Sequence, residues 1–395
     1  MDFSNRIASL KPSAIREIFK VLGDKSIISF AGGNPDPATF PAKEMGDIAG
    51  ELFRTRPEDA LQYSITEGYP PLRKQLSERM KIKFGIGREF DETIIVTGGQ
   101  QGLDLTCKVL CNEGDVVICE EPSFIGALNC FRATGANLAG IEMEPDGMNI
   151  EKLEHVLKTE KRAKMIYIIP TFQNPMGITT SEKKREQIYF LAKKYGVIIL
   201  EDNPYGELRF AGEDIPTLKS RDENGIVIYC SSFSKILSPG MRMGYVCAPK
   251  PIIEKMVVAK QVNDVHTNIF FQMTVSEYLS RENIDLHIEE NRKIYKEKAG
   301  RMLSKMDETF PEDVTYTRPE GGLFIWCDLG HGINTNEFSV KLLQKKVAVV
   351  PGSAFLCNEN AVSSAIRLNY SMPSYDQIDL GISKIAELIK EEIGR

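Results

Sequence analysis

Lys235 stands inside the run Ile226 to Gly244, IVIYCSSFSKILSPGMRMG, with Ser231, Ser232 and Ser234 just before it and Arg242 seven residues after it, beyond a Pro-Gly turn. An apolar, β-branched run that opens into Ser-x-Ser-Lys can hold an amine at the mouth of a sheet. Hydroxyls and a guanidinium beside that amine suit a phosphate dianion. Lysine amines form Schiff bases with carbonyls, so the group served best is one carrying an aldehyde and a phosphate together. Taken alone, Lys235 reads equally well as a surface lysine in a polar loop. Two further polar residues bear on the choice: Asn174 in PTFQNPMG and Asp202 in EDNPYG each follow an apolar run, as Lys235 does.

These residues need a scaffold, and the chain from about residue 43 to 285 alternates strand and helix. Strands are expected at Ile94 to Thr97, Val116 to Cys119, Met165 to Ile169, Val197 to Leu200, Ile226 to Tyr229 and Tyr245 to Ala248. All are apolar on both faces, as a mostly parallel sheet covered by helices requires. GGQQ opens a helix that runs to about Leu110. Ser181 to Tyr195 is amphipathic with Ser181 at its start, and one long helical stretch is expected from Ile252 to Leu279. Nearer the N-terminus, SAIREIFKVL (Ser13 to Leu22) carries apolar residues at 15, 18, 19 and 22, a helical stripe that leaves Arg16 to one side. AGGNPDPATFP follows as a Gly/Pro-rich loop, in which Gly32 and Gly33 would permit close backbone approach to a ligand or simply serve a turn. The last third is of α+β type. Its expected strands are Leu323 to Cys327, Ala348 to Val350 and Ala365 to Tyr370, and its expected helices lie around 287–308, 335–345 and 375–392. The division that follows is a large domain over 43–285 and a smaller one built from 1–42 and 286–395.

Composition narrows the function classes. The 395 residues are 42% apolar and 26% charged, ordinary for a globular enzyme, and a net charge of −6 argues against a nucleic-acid partner. Eight scattered cysteines without a CxxC pair point to a reduced, cytoplasmic setting. Cys107 and Cys111 fit neighbouring turns of one buried helix. No apolar run approaches membrane-spanning length, and the isolated His155, His266, His287 and His331 argue against a metal enzyme.

Asn174, Asp202, Lys235 and the GGQQG turn all fall at the C-terminal edge of expected strands, which is where open α/β sheets bind ligands. The helix opened by GGQQG adds free N–H groups for a phosphate. At this level the chain resembles a pyridoxal-phosphate enzyme of the aspartate aminotransferase fold, a class I/II aminotransferase of the 2-aminoadipate/kynurenine branch. The likeness runs through PSAIRE, SFAGGNPDPATFP, YSITEGYPPLR, TGGQQGL, EEPSFIGAL, PTFQNPMG, EDNPYGEL, SSFSKILSPGMRMGY, EGGLFIW and IRLNYS.

The resemblance implies roles for particular residues. Lys235 would carry the cofactor and then move the Cα proton, Asp202 would keep the pyridine nitrogen protonated, and Tyr205 with Asn174 would meet the ring's 3′-oxygen. Phe124 would lie on the ring face, although it could equally be a core phenylalanine. Ser232, Ser234, Arg242 and the backbone N–H groups of Gly99 and Gln100 would hold the phosphate. Many relatives have serine where Gly99 stands, so one hydroxyl contact would be missing. Tyr63 would reach the phosphate of a neighbouring subunit, implying a homodimer with shared sites, or else be a core aromatic. Arg367 would take the substrate α-carboxylate, Gly33 would assist through its backbone, and Arg16 would meet an acidic side chain or swing away from an apolar one. The expected reaction is transfer of an α-amino group to 2-oxoglutarate. The rivals are a C–S β-lyase on the same scaffold and, from another class, the effector-sensing module of an aminotransferase-like transcription regulator.

Overall fold

The structure is a computed structural model that describes residues 2–8, 10, 24 and 26–394. The helix expected over 13–22, with Arg16 in it, lies outside the described residues. A four-residue helix (Asn5–Ala8) and a two-residue strand β1 (Ile28–Ser29) come first, followed by helices Ala42–Thr55, Pro57–Leu61 and Pro70–Phe84. Next come β2 (Asp91–Thr97), β3 (Val116–Glu121), β4 (Asn137–Glu144), β5 (Gly147–Met148), β6 (Ala163–Ile168), β7 (Ile198–Asp202), β8 (Val227–Ser232) and β9 (Met243–Pro249). These eight form one sheet in the order β2-β9-β8-β7-β6-β3-β4-β5. β4, β3, β6, β7 and β8 are paired parallel in that order, whereas β9 is antiparallel to both β2 and β8 and β5 is antiparallel to β4. The reversal at β9 has a simple cause. Only residues 233–242 join it to β8, too short a connection for a parallel crossover, which takes about a dozen residues or more.

The central strands are buried on both faces, and alternation sorts their side chains. Tyr167, Leu200, Ile228 and Cys230 face one apolar cluster, while Ile166, Ile168, Ile199 and Val227 face another. Such strands read as continuous apolar runs, and that is why they were legible. The expected strands match the observed ones with ends shifted by one to three residues, and the Ser181 side chain does cap the helix Glu182–Tyr195 by accepting the Lys184 N–H.

Three expectations need correction. The stretch 252–279 is two helices, Lys250–Gln261 and Ile269–Arg281. Between them Val265 takes φ 67°, and the Asn268 side chain caps the second helix through the Phe271 N–H. Apolar periodicity carried on across the break, but backbone and cap chemistry ended the first helix. Ala348–Val350 is not one strand: β12 (Val347–Ala348) pairs with β1, and β13 (Val350–Pro351) pairs with β14 (Ala365–Asn369). Cys111 caps the helix Gly99–Leu110 and is only partly buried, unlike Cys107 inside it. β4 and the helices Ile125–Ala133 and Ile150–Thr159 had no counterpart in the sequence reading.

β11 (Phe324–Asp328) lies between β14 and the short β10 (Thr315–Tyr316) in a four-stranded antiparallel sheet, β10-β11-β14-β13. All eight cysteines are free thiols. Among the described residues no helix is long and apolar enough to cross a membrane.

One glycine sets how closely the start of helix Gly99–Leu110 approaches the sheet. A Cβ on Gly244 would sit 2.8 Å from the Gly98 carbonyl carbon, 2.9 Å from the Gly99 nitrogen and 3.0 Å from the Ser231 oxygen, all backbone atoms that cannot rotate away. Gly244→Ala is therefore expected to cost about 2 kcal/mol or more of stability, as overpacked cores do, measured by urea unfolding of the apoprotein. A midpoint equal to wild type would refute it.

Candidate active site

β7 and β8 end side by side; β7 ends on Asp202, and the turn beyond β8 carries Lys235. Asp202 is buried, and its Oδ2 accepts the Tyr167 hydroxyl at 2.8 Å from the neighbouring strand β6. Burial pushes its carboxyl up to about 7, with the Tyr167 hydroxyl and the Lys235 amine pulling the other way. Lys235 is partly buried, and its Nζ donates to the Gly33 carbonyl at 2.7 Å. Desolvation, together with Arg367 and Arg242, pushes the amine down to about 8, opposed by Asp202. An amine so placed loses its proton far more readily than a solvated lysine, and the neutral form is the one that attacks a carbonyl.

A second group forms where β8 and β9 meet the start of helix Gly99–Leu110. Ser232 Oγ lies 2.7 Å from Ser234 Oγ and accepts the Ser234 N–H at 3.0 Å. Gly98 takes φ 74°, and a Cβ there would strike the Arg242 guanidinium at 2.2 Å, so glycine lets Arg242 lie against the helix start. Arg242 itself takes φ 55°, a sparsely populated region for a residue with a side chain, and its guanidinium is held by the Pro239 carbonyl at 3.2 Å. Gly99 adjoins Ser232: a Cβ on it would be 3.9 Å from the Ser232 Cβ. Space for a serine at 99 therefore exists, and the glycine is not sterically required. Gln100 is exposed and spends its side-chain amide on the Gly126 carbonyl at 2.8 Å. A Cβ on Gly126 would come 2.4 Å from the Phe124 ring, so Gln100 and the partly buried Phe124 meet over this glycine.

The third group centres on Arg367 in β14. It is 2% exposed, its guanidinium lies 4.3 Å from the Phe324 ring centre and 5.0 Å from that of Phe355, and its Nε has no hydrogen-bond partner. One amino group donates to Asn174 Oδ1 at 2.9 Å and the other to the Ala31 carbonyl at 2.6 Å. No described carboxylate pairs with it, and burial lowers its pKa to about 10. A buried guanidinium without a counter-ion is costly, and an anionic ligand would remove that cost. Tyr205 is buried edge-on to Phe324 at 5.7 Å, and burial pushes its hydroxyl pKa up, with Arg367 first and then the Asn174 amide pulling the other way. Gly33 joins the group through its carbonyl and Lys235, with Phe324 only 3.3 Å from where its Cβ would be.

The fold thus collects Asn174, Asp202, Tyr205, Ser232, Ser234, Lys235, Arg242, Arg367, Gly33, Gly99, Gln100 and Phe124 along one edge. Tyr63 stays apart: it is 81% exposed, meets His266 edge-on at 5.8 Å, and is not a core aromatic. Arg16 lies outside the described residues. Sequence reading missed Tyr167, Ala31, Phe324 and Phe355. Tyr167 sits in the apolar run MIYII, and nothing in that run reveals its aspartate partner. Among the described residues no cluster of His, Cys, Asp or Glu could hold a metal ion.

The donor set fits pyridoxal phosphate: hydroxyls, a guanidinium and helix N–H groups for a phosphate, a desolvated amine for an aldehyde, and a buried carboxylate for a ring nitrogen. A family model described as "Aminotransferase class I and II" matches residues 26–385. The chain is 40% identical to an aromatic-amino-acid aminotransferase of Thermococcus litoralis, over 99% of this chain and 94% of the relative. It is 38% identical to a 2-aminoadipate transaminase of Thermus thermophilus, over 98% and 96%. A crystal structure of Pyrococcus horikoshii kynurenine aminotransferase, solved with PMP, superposes with a TM-score of 0.95 at 39% identity, covering 99% of this chain and 97% of that one. Both the geometry and these likenesses lead to one conclusion: the chain belongs to the class I and II aminotransferases, pyridoxal-phosphate enzymes of the aspartate aminotransferase fold.

Proposed function

We propose that this enzyme moves the α-amino group of an L-amino acid, with 2-aminoadipate, aromatic and aliphatic side chains accepted, to 2-oxoglutarate. The observation that carries the reading is Arg367, a buried guanidinium without a carboxylate partner among the described residues, tied through Asn174 to the edge that bears Lys235 and Asp202. It suits an α-carboxylate bound in two-pronged fashion. The names of the Thermococcus and Thermus relatives support the aromatic and aminoadipate classes.

When bound, pyridoxal phosphate supplies the aldehyde and an electron-withdrawing ring. The chain's own residues do the rest. Lys235 would hold the cofactor through its aldehyde, with loss of water, and would afterwards carry the proton from the substrate Cα. Asp202, held by Tyr167, keeps a proton on the ring nitrogen. Tyr205 and Asn174 donate to the ring oxygen, and Phe124 covers one face. Ser232, Ser234, Arg242 and the N–H groups of Gly99 and Gln100 hold the phosphate, aided by the helix N-terminus. Exposed Tyr63 reaches the phosphate of a second subunit, so the working form is a homodimer. Residues 43–285 act as the large domain and 1–42 with 286–395 as the small one, in a cytoplasmic protein.

Amino donors given singly to the holoenzyme test this. Conversion to the amine form of the cofactor with release of one oxo acid per site, and return on adding 2-oxoglutarate, is the expected result. Continuous turnover of one amino acid without an acceptor would instead identify a β-lyase. Arg367→Lys keeps the charge but loses the planar fork, and is expected to lower kcat/KM about 100-fold, mostly through KM. An unchanged KM for every donor would remove Arg367 from carboxylate binding.

A further inference from the structure

Asn174 is presented by a turn whose backbone is anchored from outside the site. The segment from Ile169 to Thr180 leaves β6 and bears Asn174 at its tip, and its anchors lie on the reverse side of the sheet. Glu120 in β3 is completely buried, and its Oε2 accepts the Ile169 N–H at 3.1 Å and the Gln173 side-chain amide at 3.2 Å. That same amide group donates to the Pro122 carbonyl at 2.8 Å, while the Gln173 side-chain oxygen accepts the Met176 N–H at 2.9 Å. The Gln173 backbone bonds Ile178 and Gly177 across the turn. Gln173 is therefore clamped at both ends of its amide, one residue before Asn174. Arg185, also buried, fixes the outer limbs through the Pro170 carbonyl at 2.7 Å, Thr171 Oγ1 at 2.9 Å and the Thr180 carbonyl at 3.0 Å.

On the other side of the turn, Arg367 fixes the Asn174 amide by donating to its oxygen, which leaves the NH2, beside the Tyr205 hydroxyl, as the end of the amide that can donate to a ligand. We propose that Glu120 is a positioning residue: through Gln173 it sets the turn that presents the Asn174 NH2 to the cofactor's ring oxygen. This rests on the reading that Asn174 meets that oxygen. Glu120 is spent on the turn and not on charge. Burial, with Asp202 adding to it, pushes its carboxyl up to about 8, so it is largely neutral at pH 7 and glutamine is its close mimic. Its second oxygen, Oε1, has no partner, so a glutamine NH2 there would lose no bond.

The test uses holoenzymes of wild type, Asn174→Ala, Glu120→Leu, Gln173→Leu and Glu120→Gln, and follows the absorbance of the cofactor on Lys235 through a pH titration. A donor on the ring oxygen stabilises that oxygen's anionic form and weakens its hold on the neighbouring imine proton. Losing the donor should raise the titration midpoint by about one pH unit, the worth of one hydrogen bond. Asn174→Ala, Glu120→Leu and Gln173→Leu are expected to shift together, with kcat/KM down about 10-fold. Glu120→Gln should stay within about 0.2 units of wild type, as its acceptor oxygen is retained. A shift in Asn174→Ala without one in either leucine variant overturns the positioning role, as does a Glu120→Gln shift equal to that of Glu120→Leu. An unmoved midpoint in Asn174→Ala removes Asn174 from the ring oxygen, and the proposal with it. Should Glu120→Leu fail to fold, Gln173→Leu decides.

Discussion

Lys235→Ala is expected to slow turnover by about 10⁴-fold or more, because one side chain serves as carrier and as proton shuttle. The prediction follows from placement: the amine is desolvated, has its pKa lowered to about 8 and is aimed by the Gly33 carbonyl 2.7 Å away. A lysine in a solvated loop would have none of these features. Single-turnover absorbance with an amino donor reads the effect directly. Phosphate-mediated binding of the cofactor should survive in the variant, since Ser232, Ser234 and Arg242 are untouched, so the loss is expected in rate and not in occupancy. Turnover within tenfold of wild type would end the assignment. The same burial predicts a stability signature. The folded-state pKa of Lys235 lies below the usual lysine value of about 10.4, so the folded apoprotein is penalised below pH 8 relative to pH 10. Lys235→Ala removes that slope.

Asp202→Asn carries the second large effect, about 10²–10³-fold in kcat, the scale on which one buried electrostatic partner acts in a transition state. Asparagine can still accept the Tyr167 hydroxyl, so geometry is kept while the charge that holds a proton on the ring nitrogen is lost. Without cofactor the balance reverses. The folded pKa of Asp202, about 7, lies above the unfolded value of about 3.9, so its contribution to stability is present at low pH and lost as pH rises through 7. The Asp202→Asn apoprotein should thus be more stable than wild type at pH 8, by a margin that vanishes near pH 4. An apoprotein less stable than wild type at pH 8 would show that Asp202 is satisfied within the chain and not held in reserve for a cationic ligand. Residues placed for chemistry at a cost in stability are a common trade in active sites.

Much of this scaffold was readable because it obeys local rules. Strands β3, β6, β7 and β8 are buried on both faces and so are apolar throughout. Ser181 caps its helix with its own hydroxyl, and GGQQG opens the helix Gly99–Leu110 as its composition suggests. β4 escaped notice because it is partly exposed and mixed in character. The single helix expected over 252–279 failed because an apolar stripe does not record a backbone reversal at Val265.

What the residue order determined by itself is the set of reactive groups, the strands that end beside them and the family to which both belong. Those depend on side-chain type, periodicity and short spacings, all of which are local. Only the tertiary structure decided that Tyr167 braces Asp202, that Phe324 and Phe355 both pack against Arg367, and that Glu120 grips the turn behind Asn174. Arg367 meets Asn174 across 193 positions, and Lys235 meets Gly33 across 202. Contacts of that range are set by the register and order of paired strands, which no short stretch of chain encodes. A buried amide, carboxylate or guanidinium acquires its partner, and with it its charge state, only once the sheet has closed around it.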